Sequence, residues 1–133
     1  MSDSGPGELP PVSPLPCVLI VEDEMVVAMM LERMLKDLGY RVIKAARVGR
    51  AAGLDAGEAI DVAILDVNLA GQPSYPVAEV LRRRGIPFAF ASGYAPSSLR
   101  ADFRDTPVLR KPYVLRDVRR LLTETIRVRD PES

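Results

Sequence analysis

Short apolar runs alternate with helical patterns five times along this chain, and that alternation limits its fold more than any other feature. The continuous apolar runs within Cys17–Val21, Asp61–Asp66 and Ile86–Ala91 are typical of strands buried on both faces of a sheet. Arg41–Ala45, with polar residues interleaved, predicts a strand nearer an edge, and Val108–Arg110 predicts a brief fifth strand. Because right-handed crossovers return successive strands to one sheet, we predict an α/β doubly wound domain: a five-stranded parallel sheet with helices on both faces.

Helices are expected where apolar residues recur at three- and four-residue spacing. The first such pattern begins at Met25 and is ended by Gly39. The predicted helices cover residues 25–38, 48–56, 77–84, 96–103 and 113–127. The fourth is the weakest pattern, because Pro96 and Pro107 enclose few apolar positions.

The two ends of the chain differ from its middle in composition. Residues 1–16 contain five prolines among serine, glycine and aspartate, and such a segment has too little apolar surface to offset the entropy lost on ordering. We therefore expect a disordered tail over 1–16, one domain over 17–127 and a short C-terminal tail over 128–133. A length of 133 residues also favours a single domain with a single site.

Charge and hydropathy exclude several classes of function. The 18 basic and 18 acidic residues cancel, so no overall charge attracts the chain to nucleic acid or anionic lipid. No apolar run approaches the roughly 20 residues needed to span a bilayer, and the N-terminus lacks the basic and apolar regions of a signal peptide. These observations predict a cytoplasmic protein that binds neither nucleic acid nor membrane.

The residue types that are missing restrict the chemistry. The sequence contains no histidine, which excludes Ser-His-Asp and Cys-His nucleophile systems and histidine-ligated zinc. Its single cysteine, Cys17, cannot form an internal disulfide, and its place at the head of an apolar strand indicates core packing. Carboxylates, lysine and hydroxyls are left to carry any reaction.

Polar side chains stand where the predicted strands end. Asp66 is the most unusual, because it interrupts the apolar run Ile64–Leu69, where an ionised carboxylate requires a metal, a cation or a reaction. The carboxyl ends of parallel strands meet at the edge where such sheets bind ligands. The groups predicted to meet there are Glu22, Asp23 and Glu24 after the first strand, Asp66 after the third, Ser92 after the fourth and Lys111 after the fifth.

These groups fit phosphoryl transfer to a carboxylate. Clustered carboxylates raise one another's pKa unless a cation joins them, and hard oxygen ligands in this number suit Mg²⁺. A carboxylate beside the metal can accept a phosphoryl group as an acyl phosphate, with metal, lysine and hydroxyl stabilising the phosphoryl oxygens. Each motif alone also has an ordinary explanation: Glu24 as a helix N-cap, Ser92-Gly93 as a turn and Lys111-Pro112 as a strand end. Their coincidence at the correct strand ends favours a site.

The motifs that carry this pattern are Val18–Glu24, Ile64–Asn68, Ala91–Gly93 and Arg110–Pro112. In their order and strand context the chain, from residue 17 to about 127, resembles the receiver domain of bacterial two-component response regulators. The resemblance implies a flavodoxin-like fold with strand order 2-1-3-4-5.

The same resemblance implies a role for each site residue. Asp66 is the phosphoacceptor, Lys111 the cation that pairs with the phosphate and Ser92 the switch hydroxyl. The implied Mg²⁺ ligands are Asp23, Asp66, Glu22 through a water molecule, and the backbone carbonyl of Asn68.

The resemblance also implies the partners. A sensor histidine kinase supplies the phosphoryl group, and a phosphotransfer protein or a second kinase lies downstream, with the chain a monomer or weak dimer. Its role is signalling by protein contact, or as a phosphate shuttle or sink, rather than metabolic turnover. It is therefore not classed as an enzyme, although self-phosphorylation and autodephosphorylation with Mg²⁺ are implied.

Two local features refine this comparison. The run Phe88–Tyr94 resembles the Phe-Ala-Thr-Gly-hydrophobic-Tyr/Gly (FATGUY) subfamily of mostly single-domain regulators from alphaproteobacteria, with Ser92 in place of threonine. Val108 stands three positions before Lys111, where receiver domains usually carry an aromatic switch residue. We therefore hypothesise that phosphorylation orders the polar tract after Ser92, with Tyr94 either replacing the aromatic switch or lying exposed in a loop.

Two rival functions are left open by the residues. The domain could be a pseudo-receiver that binds partners without being phosphorylated, which the intact acids and Lys111 disfavour. It could also be a small nucleotide-binding α/β enzyme, but Glu-Asp-Glu follows the first strand where a glycine-rich phosphate loop would be needed.

Overall fold

A computed structural model describes residues 15–45, 60–69, 71–93 and 99–129, with the side chains of 127–129 excepted. Five parallel strands form its sheet in the order β2-β1-β3-β6-β7, which is 2-1-3-4-5 when the sheet strands alone are numbered. A separate antiparallel ribbon pairs β4 with β5. The strands are β1 Cys17–Val21, β2 Arg41–Ala45, β3 Val62–Asp66, β4 Asn68–Leu69, β5 Gln72–Pro73, β6 Phe88–Ser92 and β7 Val108–Arg110; the helices are α1 Met25–Asp37, α2 Tyr75–Arg83 and α3 Leu115–Arg129. The predicted α/β doubly wound fold and its strand order are confirmed.

Two apolar cores cover the two faces of the sheet. Because successive strand residues point to opposite faces, Leu19 and Leu65 contribute to one core and Ile20 and Ile64 to the other. The first core is closed by α2 through Val77, Ala78 and Leu81. The second is closed by α1 and α3 through Leu31, Leu35, Val118 and Leu122. Burial on both faces explains why β1 and β3 read as unbroken apolar runs.

Several predicted boundaries are corrected. The helix predicted over 77–84 begins at Tyr75, because Pro76 fits the first turn, where its missing N–H has no helical acceptor. The strand predicted at Ile86–Ala91 begins after Pro87 and includes Ser92. The last helix covers residues 115–129 rather than 113–127. These shifts of two residues leave the element order unchanged.

The loop after Asp66 contains structure that the sequence did not predict. The ribbon of β4 and β5 is closed at Gly71, whose φ of 87° is readily accessible only to glycine.

The helix predicted over 96–103 is represented by one turn of 3-10 helix at Ala101–Phe103, while residues 94–98 lie outside the described residues. The helix predicted over 48–56 and most of both predicted tails also lie outside them.

Within the described part of the chain, no helix combines the length and apolar character needed to cross a membrane.

Substitutions on the two sides of α1 should differ strongly in their effect on stability. Leu35 is fully buried beneath the sheet, whereas Met29 on the same helix is 54% exposed. We expect Leu35→Ala to lower the free energy of unfolding by about 2–5 kcal/mol, since it leaves a cavity in the core. Met29→Ala, the matched control, should change it by no more than about 0.5 kcal/mol. Urea unfolding checks both values, and equal losses in the two variants would contradict the packing of this helix.

Candidate functional site

Four strand ends bring the predicted site residues to one edge of the sheet. Asp66 and Ser92 are the last residues of β3 and β6, and Glu22 and Lys111 directly follow β1 and β7. The backbone ladder continues past the strands: the Glu22 N–H donates to the Ala45 carbonyl (3.1 Å) and the Lys111 N–H to the Ser92 carbonyl (3.0 Å). The backbone hydrogen bonds of the sheet therefore fix the positions of these residues independently of their side-chain contacts.

Lys111 joins two carboxylates from different strands. Its Nζ lies 3.1 Å from Asp66 Oδ2 and 3.4 Å from Glu22 Oε1. Glu22 is almost completely buried, and the Asp66 and Lys111 side chains are 13% and 26% exposed. Solvent therefore screens this ion pair less than a pair on the open surface.

The acids also form a potential cation site. Carboxylate oxygens of Glu22, Asp23 and Asp66 lie within 4.8 Å of one another. Oxygen-only donors at this density suit a hard divalent cation, and the lysine supplies only one compensating charge among them. The donor set therefore fits a metal ion.

The pKa shifts reflect how closely these charged groups are packed. Burial, followed by the hydrogen bond and charge of Asp66, raises the pKa of Glu22 from 4.5 to about 7. Burial alone would lower the pKa of Lys111, but its hydrogen bond and attraction to Asp66, together with Glu22, outweigh burial and raise it. Lys111 therefore stays charged at neutral pH, while Glu22 is poised between its two protonation states.

The loop after β3 orients the phosphoacceptor candidate. The Asn68 N–H donates to Asp66 Oδ1 (3.2 Å), and the Asn68 side-chain oxygen accepts from the Gly71 N–H (2.9 Å). The amide side chain thus closes the ribbon turn. The predicted role of the Asn68 carbonyl as a metal ligand stays a prediction.

The remaining predicted residues divide between the site and its rim. Ser92 is buried, and its neighbour Ala91 pairs with Asp66 across the strands. Glu24 is exposed at the N-cap position of α1 and makes no side-chain cap, but its N–H donates to Glu22 Oε2 (3.2 Å). Tyr94 lies outside the described residues.

Tyr113, predicted only as the start of a helix, is a buried tyrosine that feels the charges of the site. It is buried in the core between the sheet and α1 and α3. Burial raises the pKa of the Tyr113 hydroxyl well above its ordinary value, and the charges of Glu22 and Asp66 add to the effect. The available signal was its position two residues after Lys111.

Several known proteins are similar to this chain in sequence and structure. No family model matches the chain. SdrG from Sphingomonas melonis Fr1 is 44% identical, covers 86% of this chain and 99% of its own, and superposes with a TM-score of 0.74. A BeF3-activated conformation of SdrG, from Pseudomonas melonis Fr1, is 43% identical over the same shares, with a TM-score of 0.72.

Two further proteins match less closely. A CheY-like response regulator receiver domain protein from Methanospirillum hungatei JF-1 covers 90% of this chain and 99% of its own with a TM-score of 0.76, but at 23% identity it supports the fold alone. An uncharacterised transcriptional regulatory protein from Bacillus subtilis, YbdJ, is 34% identical over 77 residues. That match covers 56% of this chain and spans only 34% of the length of YbdJ.

The raised pKa of Glu22 predicts a dependence of stability on pH. The carboxyl keeps its proton up to about pH 7 when folded but only to about 4.5 when unfolded. Its contribution to stability is therefore complete below about pH 4.5 and is lost as the pH rises through 7. The shift corresponds to on the order of 3 kcal/mol, so urea unfolding in the presence of a chelator should show stability falling between about pH 4.5 and 7.

Two variants isolate this effect. Glu22→Gln should remove the slope, and Glu124→Gln, at an exposed position on α3, should keep it. If stability still falls with pH in Glu22→Gln, the pH dependence belongs to another group.

Proposed function

The chain belongs to the receiver-domain family of response regulators, and on this premise we propose that Asp66 accepts a phosphoryl group from a histidine kinase. Receiver domains are signalling proteins rather than classical enzymes, and the role proposed here is that of a phosphoacceptor. The observation that carries the proposal is the contact of Lys111 Nζ with Asp66 Oδ2, at 3.1 Å, beside the acids of β1.

Asp66 is the nucleophile. An oxygen of its carboxylate attacks the phosphorus of a phosphohistidine, an O–P bond forms, the P–N bond breaks, and the leaving imidazole takes up a proton. The Asn68 N–H and Lys111 hold one carboxylate oxygen each, so the group is oriented before attack. Lys111 then has a phosphoryl oxygen within reach, and its positive charge opposes the charge that develops there.

The acidic cluster supplies the proposed metal site. Glu22, Asp23, Asp66 and the Asn68 carbonyl would hold Mg²⁺, which neutralises phosphoryl oxygens when bound. Ser92 is proposed as the hydroxyl that donates to a further phosphoryl oxygen. Its burial at the end of β6, beside the strand that carries Asp66, supports this assignment.

The partner is proposed to be a histidine kinase that docks over α1 and the start of α3. Large apolar side chains that would ordinarily be buried are exposed on both elements: Met25, Val26, Met29, Met30, Val114 and Leu115, at 39–75%. They adjoin the strand end that carries Glu22 and the segment that carries Lys111, so a partner seated on them also reaches the acids. A phosphotransfer protein or a second kinase is proposed downstream.

The finer assignment is to stand-alone receivers of the FATGUY subfamily. It is supported by the 44% identity to SdrG, by the coverage of 99% of the SdrG chain and by the run Phe88–Tyr94. The BeF3-activated conformation of SdrG supports phosphoryl chemistry, because beryllium trifluoride resembles a phosphoryl group in shape and charge. A single domain over 17–127, in the cytoplasm, completes the proposal.

Incubation with Mg²⁺ and acetyl phosphate, followed by intact mass measurement, tests the phosphoacceptor. We expect one phosphoryl adduct on the wild type and none on Asp66→Asn, since the amide is not a nucleophile of this kind. Asp37→Asn, an exposed aspartate on α1, should keep the adduct. Absence of the adduct from the wild type would instead favour a binding module that is not phosphorylated, and an adduct on Asp66→Asn would exclude Asp66 as the acceptor.

Metal binding has its own test. Asp23→Asn should weaken Mg²⁺ binding by roughly tenfold or more, because it removes a carboxylate ligand without removing the Lys111 contacts. Wild-type affinity should also fall as the pH drops below about 7, where Glu22 holds a proton that the metal must displace. Calorimetric titration measures both, with Asp37→Asn as the control. An Asp23→Asn variant of unchanged affinity would place the metal elsewhere.

A further inference from the structure

A cluster of aromatic and charged side chains ties α2 to the segment that precedes β7. We call it the Tyr75–Arg100 latch, and it consists of Tyr75 and Glu79 on α2 with Arg100, Asp102 and Phe103. The Tyr75 ring stacks on Phe103, with 5.5 Å between centroids and 11° between planes. The Tyr75 hydroxyl accepts a hydrogen bond of 2.8 Å from the Arg100 N–H. Tyr75 therefore contacts the segment that precedes β7 through both its ring and its hydroxyl.

The Arg100 side chain closes the latch from outside. Its guanidinium makes two hydrogen bonds to the Asp102 carboxylate (2.7 and 2.9 Å) and one to Glu79 Oε2 (2.7 Å). It also lies 4.9 Å from the ring centroids of both Tyr75 and Phe103. Exposed ion pairs and cation–π contacts are individually weak, so breaking the contacts of the latch costs little free energy.

The latch is connected to the phosphoacceptor along the backbone. Tyr75 follows Ser74, whose N–H donates to the carbonyl of Val67, the residue directly after Asp66 (2.9 Å). The Tyr75 ring also meets the Phe90 ring edge-on, with centroids 5.8 Å apart. Phe90 precedes Ser92 by two positions on β6 and therefore points to the same face of the sheet. Tyr75 is thus connected to Asp66 through the backbone and to the strand of Ser92 through Phe90.

Tyr75 and Val108 both pack against the first core, the one closed by α2. Both side chains are partly buried against the same apolar cluster, and Val108 pairs in register with Phe90. Val108 supplies no ring beside Phe90, and the ring of Tyr75 from the start of α2 contacts Phe90.

The start of α2 is not held in its most favourable arrangement. Ser74 occupies the N-cap position but makes no cap hydrogen bond, and its buried Oγ has no partner among the described residues. Burying an unpaired hydroxyl is unfavourable, so this turn would gain free energy from any rearrangement that pairs it.

We propose that the Tyr75–Arg100 latch is the readout device of this receiver: phosphorylation of Asp66 moves the start of α2, breaks the hydrogen bond from Arg100 N–H to Tyr75 and changes the surface formed by α2 and residues 99–105. The inference rests on the proposed function, because it needs a phosphoryl group on Asp66. The coupling element would be the start of α2, with one arrangement before phosphorylation and another after it. Changes at the site and at the surface would each shift the balance between these two arrangements.

Amide exchange measured by NMR, with and without beryllium trifluoride and Mg²⁺, tests the latch. In the wild type we expect exchange at the Arg100 amide to accelerate roughly fivefold or more on loading, within the range of ordinary allosteric couplings. Tyr75→Phe keeps the ring but removes the acceptor, so its Arg100 amide should exchange rapidly in both states. Tyr40→Phe, a partly buried tyrosine against the opposite core, should respond as the wild type does.

Loading is measured separately, by the ¹⁹F signals of the bound fluoride. Loading without a change at the Arg100 amide of the wild type overturns the latch alone. The same holds if Tyr75→Phe responds to loading as the wild type does. Failure of the wild type to load overturns both the latch and the phosphoacceptor assignment.

Discussion

Two carboxylates from different strands share one ammonium group, and the chemistry proposed for this chain depends on that arrangement. Glu22 and Asp66 would repel each other at the edge of a sheet buried on both faces, and Lys111 offsets the repulsion only in part. The residual imbalance makes the cluster receptive to further positive charge. A cation bound there would add its charge to that of Lys111, and the two together would offset the negative charge of a phosphoryl group.

The parallel sheet supplies most of this arrangement, and the loop after β3 adds the Asn68 N–H that contacts Asp66. Strands β1, β3, β6 and β7 end at one edge, and the hydrogen bonds that continue past them fix where Glu22, Asp66, Ser92 and Lys111 emerge. The two apolar cores hold the strands from both sides. Packing and chemistry are thus divided along each strand, with apolar residues in the middle and polar residues at the carboxyl end.

The residues at the strand ends could be predicted because few structures satisfy their sequence pattern. A short, β-branched apolar run within an alternating series of strands and helices favours a strand buried on both faces, so the place of Asp66 followed from its run and from the order of the elements. The β4–β5 ribbon depends on one glycine at positive φ and on the Asn68 side chain, which no periodicity reports. The contact of Tyr75 with Arg100 joins positions 25 residues apart, and only the folded chain brings them together.

The exposed face of α1 has a consequence for how partners are distinguished. Met25, Met29 and Met30 are three of its exposed apolar residues, and an unbranched thioether changes shape at little cost. A surface of this kind conforms to the partner that covers it and rejects few of them by shape. If the proposed kinase seats on this face, discrimination between kinases would fall to the charged groups around its rim rather than to the shape of its apolar centre.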